Sequence, residues 1–327
     1  MDSPESPFET YESIYWVFTQ LCNDDCAHCY NDSGPGGTRM SLEDGLAVVG
    51  NLPARLGRLI LSGGEPLVER PKLHAILEAL AARYRGATQV MLQTNGDLLT
   101  GEILDEVLAR GVTRLDIASM DRFHKNEGRH RERLETLFRS RGLSGDETDP
   151  LIGKDTFLKP GAASYGFWGA NEDFWIGGNW ARGKALRNGL WKRDGLHNFC
   201  AIPSGGKGFL GGTDLPQELS IQLWKVNPCC AGMETPIGDA RRERVSAILD
   251  RVAASPVFRK INEGDPYAAG ESLGIPGSYG RERAVALENV CLWCDELFAR
   301  HYDPVRVEPR APAAMWLPTL PRGGGQR

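Results

Sequence analysis

The chain has 327 residues, of which 41% are hydrophobic and 25% charged, and its formal net charge is −5 at pH 7. These values are typical of a folded protein with a sizeable core. They disfavour a basic surface for nucleic acid or an anionic membrane, and no apolar run of about 18 residues indicates a membrane span. The acidic N-terminus lacks the basic and apolar regions of a signal peptide, so we expect a cytoplasmic protein.

The N-terminal half of the chain predicts strands alternating with helices, which is the βαβ pattern of a parallel sheet. Strands rich in β-branched and apolar residues are predicted at Ser13–Leu21, Arg58–Gly64, Thr88–Gly96 and Arg114–Asp121. Amphipathic helices are predicted at Ser41–Leu56, Pro71–Tyr84, Thr100–Gly111 and His130–Gly142. Ser41 and Thr100 are suitable N-caps, and Gly111 is suited to end a helix.

Unusual residues follow each of these four strands: a group of cysteines, then Gly63-Gly64-Glu65, then Thr94-Asn95-Gly96, then Ser119. In parallel α/β barrels the carboxyl ends of the strands carry the chemistry. Four such ends in succession predict one site at the top of a barrel.

The second half of the chain has a less regular pattern. Residues 144–155 predict a loop, residues 163–169 a strand, and residues 168–191 contain four tryptophans. Further on, the sequence predicts a strand leading to a turn over 218–230, one helix over 239–258, a loop over 261–280 and a helix over 284–302. The Pro-, Arg- and Gly-rich tail after residue 304 predicts disorder.

Eight cysteines in a cytoplasmic chain favour metal ligation over disulfides. Cys22, Cys26 and Cys29 form the spacing C-x3-C-x2-C in one loop. A zinc site would need a fourth ligand, for which His28 is a nearby but crowded candidate. A 4Fe-4S cluster fits better, because three thiolates leave the fourth iron open for a ligand. Zinc and metal-free thiols remain the alternatives.

This spacing, in the first strand-to-helix loop, resembles the signature of radical S-adenosylmethionine (SAM) enzymes. SGGEP after the second strand, QTNG after the third and ASMD after the fourth resemble the cofactor-contact motifs of that superfamily. The resemblance implies a partial (β/α)6 TIM-like barrel. A reduced cluster would cleave SAM to a 5′-deoxyadenosyl radical, which removes a hydrogen atom from the substrate. The electron donor would be of flavodoxin or ferredoxin type.

The resemblance also implies roles for individual residues. Cys22, Cys26 and Cys29 would bind the cluster, and Gly63, Gly64 and Glu65 would meet the methionine amino group of SAM. His28 precedes the third cysteine, where the family more often has Phe, Tyr or Trp against the adenine. Further contacts to SAM are implied for Tyr30, Asn95 and Ser119.

The remaining cysteines resemble the auxiliary-cluster region called the twitch domain, whereas the longer SPASM type would have further cysteines after Cys294. The implied ligands of one auxiliary 4Fe-4S cluster are Cys200, Cys229, Cys291 and Cys294. Zinc on the same four thiols, or buried structural thiols, are the alternatives. We expect an N-terminal tail over 1–12, a radical SAM barrel over 13–195, a small α+β auxiliary-cluster domain over 196–303 and a disordered tail over 304–327.

The expected reaction is oxidation of a small molecule, with one electron passing to the auxiliary cluster. Candidate polar residues for the cavity are Asn171, Glu172, Asp173 and Arg182, and Arg182 lies in ARGKA, which resembles a family element only loosely. Cys230, the eighth thiol, is either packing or a hydrogen-atom donor, and a donor would make the enzyme an epimerase. Peptide maturation with a separate recognition protein, and a non-catalytic zinc or iron–sulfur scaffold or sensor, are the other hypotheses.

Overall fold

The computed structural model describes residues 5–145, 163–169 and 180–302, which form an α/β fold around one mostly parallel sheet. The described strands are β1 (Thr10–Val17), β2 (Arg55–Ser62), β3 (Gln89–Thr94), β4 (Val112–Ile117), β5 (Ser144–Gly145), β6 (Ser164–Phe167), β7 (Glu218–Gln222), β8 (Lys225–Asn227) and β9 (Gly238–Asp239). Their order in the sheet is β5-β6-β4-β3-β2-β1-β7-β8-β9. Neighbouring strands are parallel from β5 to β7 and antiparallel from β7 to β9.

The described helices are α1 (Leu42–Asn51), α2 (Arg70–Tyr84), α3 (Gly101–Ala109), α4 (Arg131–Ser140), α5 (Gly183–Arg187), α6 (Val245–Ala253), α7 (Pro256–Asn262), α8 (Gly277–Ala286) and α9 (Val290–Arg300). The predicted caps are confirmed, since Ser41 Oγ accepts from the backbone N–H of Asp44 at 3.0 Å and Thr100 Oγ1 from that of Ile103 at 3.3 Å. Within the described residues, no helix is both long and apolar enough to cross a bilayer.

One face of the sheet is apolar and packs against helices. Side chains alternate between faces along a strand, and the register aligns Trp16 of β1 with Leu61 of β2 and Leu92 of β3. These side chains are fully buried in one hydrophobic cluster with residues of α1 to α4. Burial of this face is the main force that fixes the first four strands and their helices.

The opposite face is polar, and we call it the polar face. The register aligns Ser13 of β1 with both Arg58 of β2 and Glu218 of β7. Arg58 donates from Nε to Ser13 Oγ at 3.0 Å and pairs with Glu218 at 3.1 Å. On β4 of the same face, Arg114 pairs with Asp116 at 2.9 Å. Buried charges are stable here because each is paired and hydrogen-bonded.

The predicted strand over 163–169 is confirmed by β6. The strand leading to a turn predicted over 218–230 begins correctly as β7, but the chain already reverses at Leu223, where φ is +58°, and returns as β8. The single helix over 239–258 is wrong, since the chain breaks between α6 and α7 at Ser255, and Pro256 begins a new helix.

Two further predictions near the C-terminus need correction. The loop predicted over 261–280 contains a 3-10 helix, Ala268–Leu273, and the start of α8. The helix predicted over 284–302 is divided between α8 and α9, with Glu288 at a φ of +57° between them. The loop predicted over 144–155 is described only at residues 144–145, and the tail after 304 lies outside the described residues. Closure of the sheet into a partial barrel stays a prediction.

Phe138 of α4 provides a test of the apolar packing, because it is fully buried and stacks on Tyr165 of β6 with ring centroids 4.8 Å apart. We expect Phe138→Ala to lower the free energy of unfolding by about 3–5 kcal/mol through lost burial and a cavity. The measurement is chemical denaturation. Leu46→Ala on α1 is the control, because Leu46 is 41% exposed and its replacement should lower the free energy of unfolding much less. Equal losses in both variants would contradict this packing.

Candidate functional site

A cavity lies at the carboxyl ends of β1 to β4, where the sequence predicts the site. Three cysteines, Cys22, Cys26 and Cys29, line it together. The other predicted residues that line it are His28, Tyr30, Gly63, Gly64 and Asn95. The structure therefore brings together residues that follow three different strands.

The cysteine loop is held against the end of β2 by backbone hydrogen bonds. Gly64 N donates to Thr19 O at 2.7 Å, and Glu65 N donates to Leu21 O at 2.9 Å. A Cβ atom on Gly64 would lie 2.4 Å from Leu21 O, and one on Gly63 would lie 2.8 Å from Thr19 O. Both positions therefore require glycine for the loop to approach the strand this closely.

Two thiols of the loop accept hydrogen bonds from the backbone. Backbone N–H groups of Ser33 and Asp24 donate to Cys29 Sγ at 3.3 Å and Cys22 Sγ at 3.4 Å. Burial raises the pKa of the Cys22 thiol to about 12 and also raises the pKa values of Cys26 and Cys29. Three half-buried thiols at the edge of one cavity fit an iron–sulfur cluster, whose cationic core favours the thiolate form.

His28 is directed away from a shared site with the cysteines. Its ring lies 5.2 Å from that of Phe123 and 4.8 Å from that of His124. Within the described chain, the ligand atoms of His28, Asp121 and His124 lie within 4.8 Å of one another, whereas no cysteine joins such a group. Burial lowers the pKa of His28 to about 4. The geometry thus argues against His28 as the fourth ligand of a zinc ion on the cysteine triplet.

Two of the predicted cofactor residues lie behind the cavity wall. The buried Glu65 carboxylate accepts from Leu67 N at 3.0 Å, Thr94 Oγ1 at 2.7 Å and Asn95 N at 2.7 Å. Ser119 Oγ donates to Asn95 O at 2.7 Å. These bonds tie the ends of β2, β3 and β4 together. A direct contact of Glu65 or Ser119 with SAM stays a prediction.

The second set of cysteines comes together from three separate segments. Burial raises the pKa of the Cys200 thiol, and the neighbouring Cys229 and Cys291 raise it further. Cys294 is likewise buried, and charge on Cys200 and Cys229 raises its pKa further. Cys291 and Cys294 lie at the start of α9, where the helix dipole favours negative charge.

The spacing of these four thiols bears on which metal they fit. A tetrahedral zinc ion with bonds of about 2.3 Å requires sulfurs about 3.8 Å apart. No three of the four cysteines, all of which the structure describes, have sulfurs within 4.8 Å of one another. A spacing wider than that of a closed zinc site is compatible with the larger 4Fe-4S cluster.

Arg182 belongs to the second cysteine set rather than to the cavity. Its side chain is largely buried, pairs with Asp295 at 2.8 Å, and donates to Gly232 O and Cys291 O at 3.1 and 3.2 Å. A catalytic role, as predicted for Arg182, would require its side chain to line the cavity, and Arg182 is not among the lining residues. Asn171, Glu172 and Asp173, the other polar candidates, lie outside the described residues.

The adjacent thiols of Cys229 and Cys230 have different surroundings. Cys229 belongs to the second cysteine set, and its Sγ lies 3.9 Å from Gly232 O. Cys230 Sγ instead lies 3.7 Å from the Tyr30 hydroxyl. Cys230 does not line the cavity itself, and Tyr30 does.

Sequence reasoning missed several residues of the cavity wall. They include Tyr15, Asp24, Asn31, Ser33 and His124, whereas Ser62, Gln93, Thr94 and Ala118 fall within the predicted motifs but were given no role of their own. Alternation along the strands could have identified Tyr15 and Gln93, because both project from the same face as Ser13. His124 follows β4 in a loop, and no periodic signal in the sequence points to it.

Comparison with known proteins agrees with this geometry. Residues 16–138 match the sequence profile of the Radical SAM superfamily. The match covers less than half of the chain. The matched segment runs from the end of β1 through β4 and contains the cysteine triplet and the two glycines that follow β2. The expected 4Fe-4S cluster and SAM are the cofactors of that superfamily.

Two curated relatives resemble part of the chain. The AdoMet-dependent heme synthase of Methanosarcina barkeri is 38% identical over 112 residues, which cover 32% of this chain and 30% of the relative. The GTP 3',8-cyclase of Parasynechococcus marenigrum is 33% identical over 109 residues, which cover 31% of each chain. The alignments thus span less than a third of the length of either relative.

Solved structures of similar proteins include BtrN in complex with AdoMet and 2-DOIA. It covers 81% of this chain and 90% of its own, at 15% identity and a TM-score of 0.46. The structure of anSMEcpe with bound AdoMet covers 73% of this chain and 81% of its own, at 14% identity and a TM-score of 0.43. The structure of SuiB from Streptococcus suis covers 78% of this chain and 68% of its own, at 11% identity and a TM-score of 0.41.

The buried Glu65 carboxyl group predicts a pH dependence of stability. Burial raises its pKa from the ordinary 4.5 to about 7. The folded protein therefore holds this proton over a range in which the unfolded chain has lost it. We expect the free energy of unfolding to fall by up to about 3 kcal/mol between these two pH values because of this group.

Glu65→Gln should remove this part of the pH dependence, and chemical denaturation across the range measures it. Glu102→Gln, at an exposed position in α3, is the matched control and should keep the wild-type slope. An unchanged slope in Glu65→Gln would show that Glu65 titrates normally in the folded protein.

Proposed function

We propose that the chain is a radical SAM oxidoreductase that oxidises a small polar molecule with the help of an auxiliary 4Fe-4S cluster. The observation that carries this proposal is the presence of two separate cysteine sets, one at the cavity and one around Arg182. When bound, the first cluster and SAM supply the adenosyl radical, and the auxiliary cluster accepts one electron. The C-terminal twitch-like domain, the partial barrel and a flavodoxin- or ferredoxin-type donor belong to the same proposal.

The polar face supports a small polar substrate. Two buried ion pairs, Arg58–Glu218 and Arg114–Asp116, lie on it, and the hydroxyl of the buried Ser220 has no hydrogen-bond partner among the described residues. Ser220 is aligned with Tyr15, which lines the cavity. A hydroxyl or amino group of a substrate would give the Ser220 hydroxyl a partner, whereas an apolar substrate would leave it unpaired.

Each part of the chain has a task in this reaction. His28, with its buried Nδ1 atom unpartnered in the described structure, is available to a polar group of the adenine. The carboxylates of Glu218 and Asp116 are the candidates on the polar face to receive the proton that a substrate hydroxyl loses on oxidation. Tyr15 and Tyr30 line the cavity, where their rings would limit the access of water to the radical.

Anaerobic reconstitution tests the two cysteine sets. We expect about eight irons per wild-type chain, and replacement of Cys22, Cys26 and Cys29 with Ala should leave about four and abolish SAM cleavage. Iron analysis and 5′-deoxyadenosine assay are the measurements. SAM cleavage by the triple variant would disprove the assignment of the cavity cysteines.

The paired variant Cys291→Ala and Cys294→Ala should also retain about four irons, but with SAM cleavage preserved and substrate oxidation lost. Full iron content in this variant would contradict an auxiliary cluster. Colourless wild-type protein that binds zinc would favour the non-catalytic scaffold or sensor instead.

The contact between Cys230 and Tyr30 favours a second candidate, an epimerase in which Cys230 donates a hydrogen atom. The position of the thiol behind Tyr30 supports oxidation as the first choice. Metabolites that stimulate 5′-deoxyadenosine formation would first identify a substrate. In deuterated water, we expect wild type and Cys230→Ala to yield the same oxidised product. Deuterium at an inverted carbon, lost in the variant, would establish the epimerase.

A further inference from the structure

Arg182 is placed where its charge acts on the second cysteine set. The guanidinium donates to the carbonyl oxygen of Gly232. The N–H of Gly232 in turn donates to Cys229 O at 3.1 Å. It also donates to Cys291 O in the first turn of α9. Arg182 therefore contacts the backbone of two different segments that carry the thiols, and its charge acts on Cys229, Cys291 and Cys294.

The position of this charge is closely defined. The side chains of Arg182 and Asp295 are only 11% and 13% exposed, and Nη1 lies 2.8 Å from Asp295 Oδ2. Asp295 directly follows Cys294 in α9 and also accepts from Glu234 N at 3.4 Å. A buried arginine and a buried carboxylate thus both border the thiols, and screening by water is weak at such sites.

The signs of these two charges affect how readily a bound cluster accepts an electron. Reduction adds negative charge to an iron–sulfur cluster, so a fixed positive charge nearby favours the reduced state and a negative charge opposes it. Arginine stays charged at every accessible pH and keeps its planar fork in place through several hydrogen bonds.

We propose that Arg182 raises the reduction potential of the auxiliary cluster and that Asp295 counteracts this effect. The proposal rests on the proposed function for the cluster itself. Arg182 is then a positioning and tuning residue, whose role is to make the cluster a better acceptor of the single electron that the substrate radical releases.

Redox titration monitored by electron paramagnetic resonance tests the proposal on the reconstituted full-length protein. The same titration in the background lacking Cys22, Cys26 and Cys29 isolates the auxiliary signal. At mildly alkaline pH, we expect Arg182→Met to shift the midpoint potential to more negative values and Asp295→Asn to more positive values. Arg182→Lys, which keeps the charge, should remain near wild type.

Arg187→Met is the matched control, because Arg187 ends the short helix α5 that Arg182 precedes, but its side chain is 60% exposed and pairs with Asp32. Unshifted potentials in both Arg182→Met and Asp295→Asn, or shifts in the same direction, would overturn the proposal. If Arg182→Met loses the auxiliary irons, Asp295→Asn decides: a positive shift supports the proposal, and no shift refutes it. Wild-type protein with only about four irons would instead refute the proposed function.

Discussion

The candidate site depends on the backbone contact between the cysteine loop and the end of β2. Gly64 and Glu65 donate their N–H groups to the carbonyl oxygens of Thr19 and Leu21, and the missing Cβ atoms of Gly63 and Gly64 permit that approach. The Glu65 carboxylate then binds the end of β3, and Ser119 extends the connection to β4. These bonds therefore hold the cysteine loop, and with it the three thiols, at the edge of one cavity.

A short segment connects the cavity to the second cysteine set. Lys184 N donates to Cys29 O at 2.9 Å, and Gly183, with a φ of +52°, packs so tightly that a Cβ would lie 2.4 Å from Tyr30 O. The neighbouring Arg182 side chain points to Asp295 and Cys291. Three consecutive residues thus contact both sets of cysteines, and only glycine suits the middle position.

The two faces of the sheet differ in the side chains that they carry. Trp16, Leu61 and Leu92 bury apolar surface against helices, whereas Ser13, Arg58 and Glu218 form a paired polar network on the other face. Buried ion pairs contribute little net stability compared with apolar packing. The proposed function assigns these pairs to a polar surface near the cavity rather than to the apolar packing that stabilises the fold.

The sequence alone determined the alternation of strands and helices up to α4, the caps at Ser41 and Thr100, and the cysteine triplet at a strand end. These features are local, since they depend on periodicity and on neighbours within a few residues. The hairpin at Leu223 and the break before Pro256 were missed, although each is a local turn, because continuous apolar patterns obscured them. Only the tertiary structure decided that Glu65 and Ser119 lie behind the cavity, that Arg182 belongs to the second cysteine set, and that Cys229 and Cys230 lie in different surroundings. Each of these depends on contacts between segments far apart in the chain, which side-chain spacing along one strand or helix does not encode.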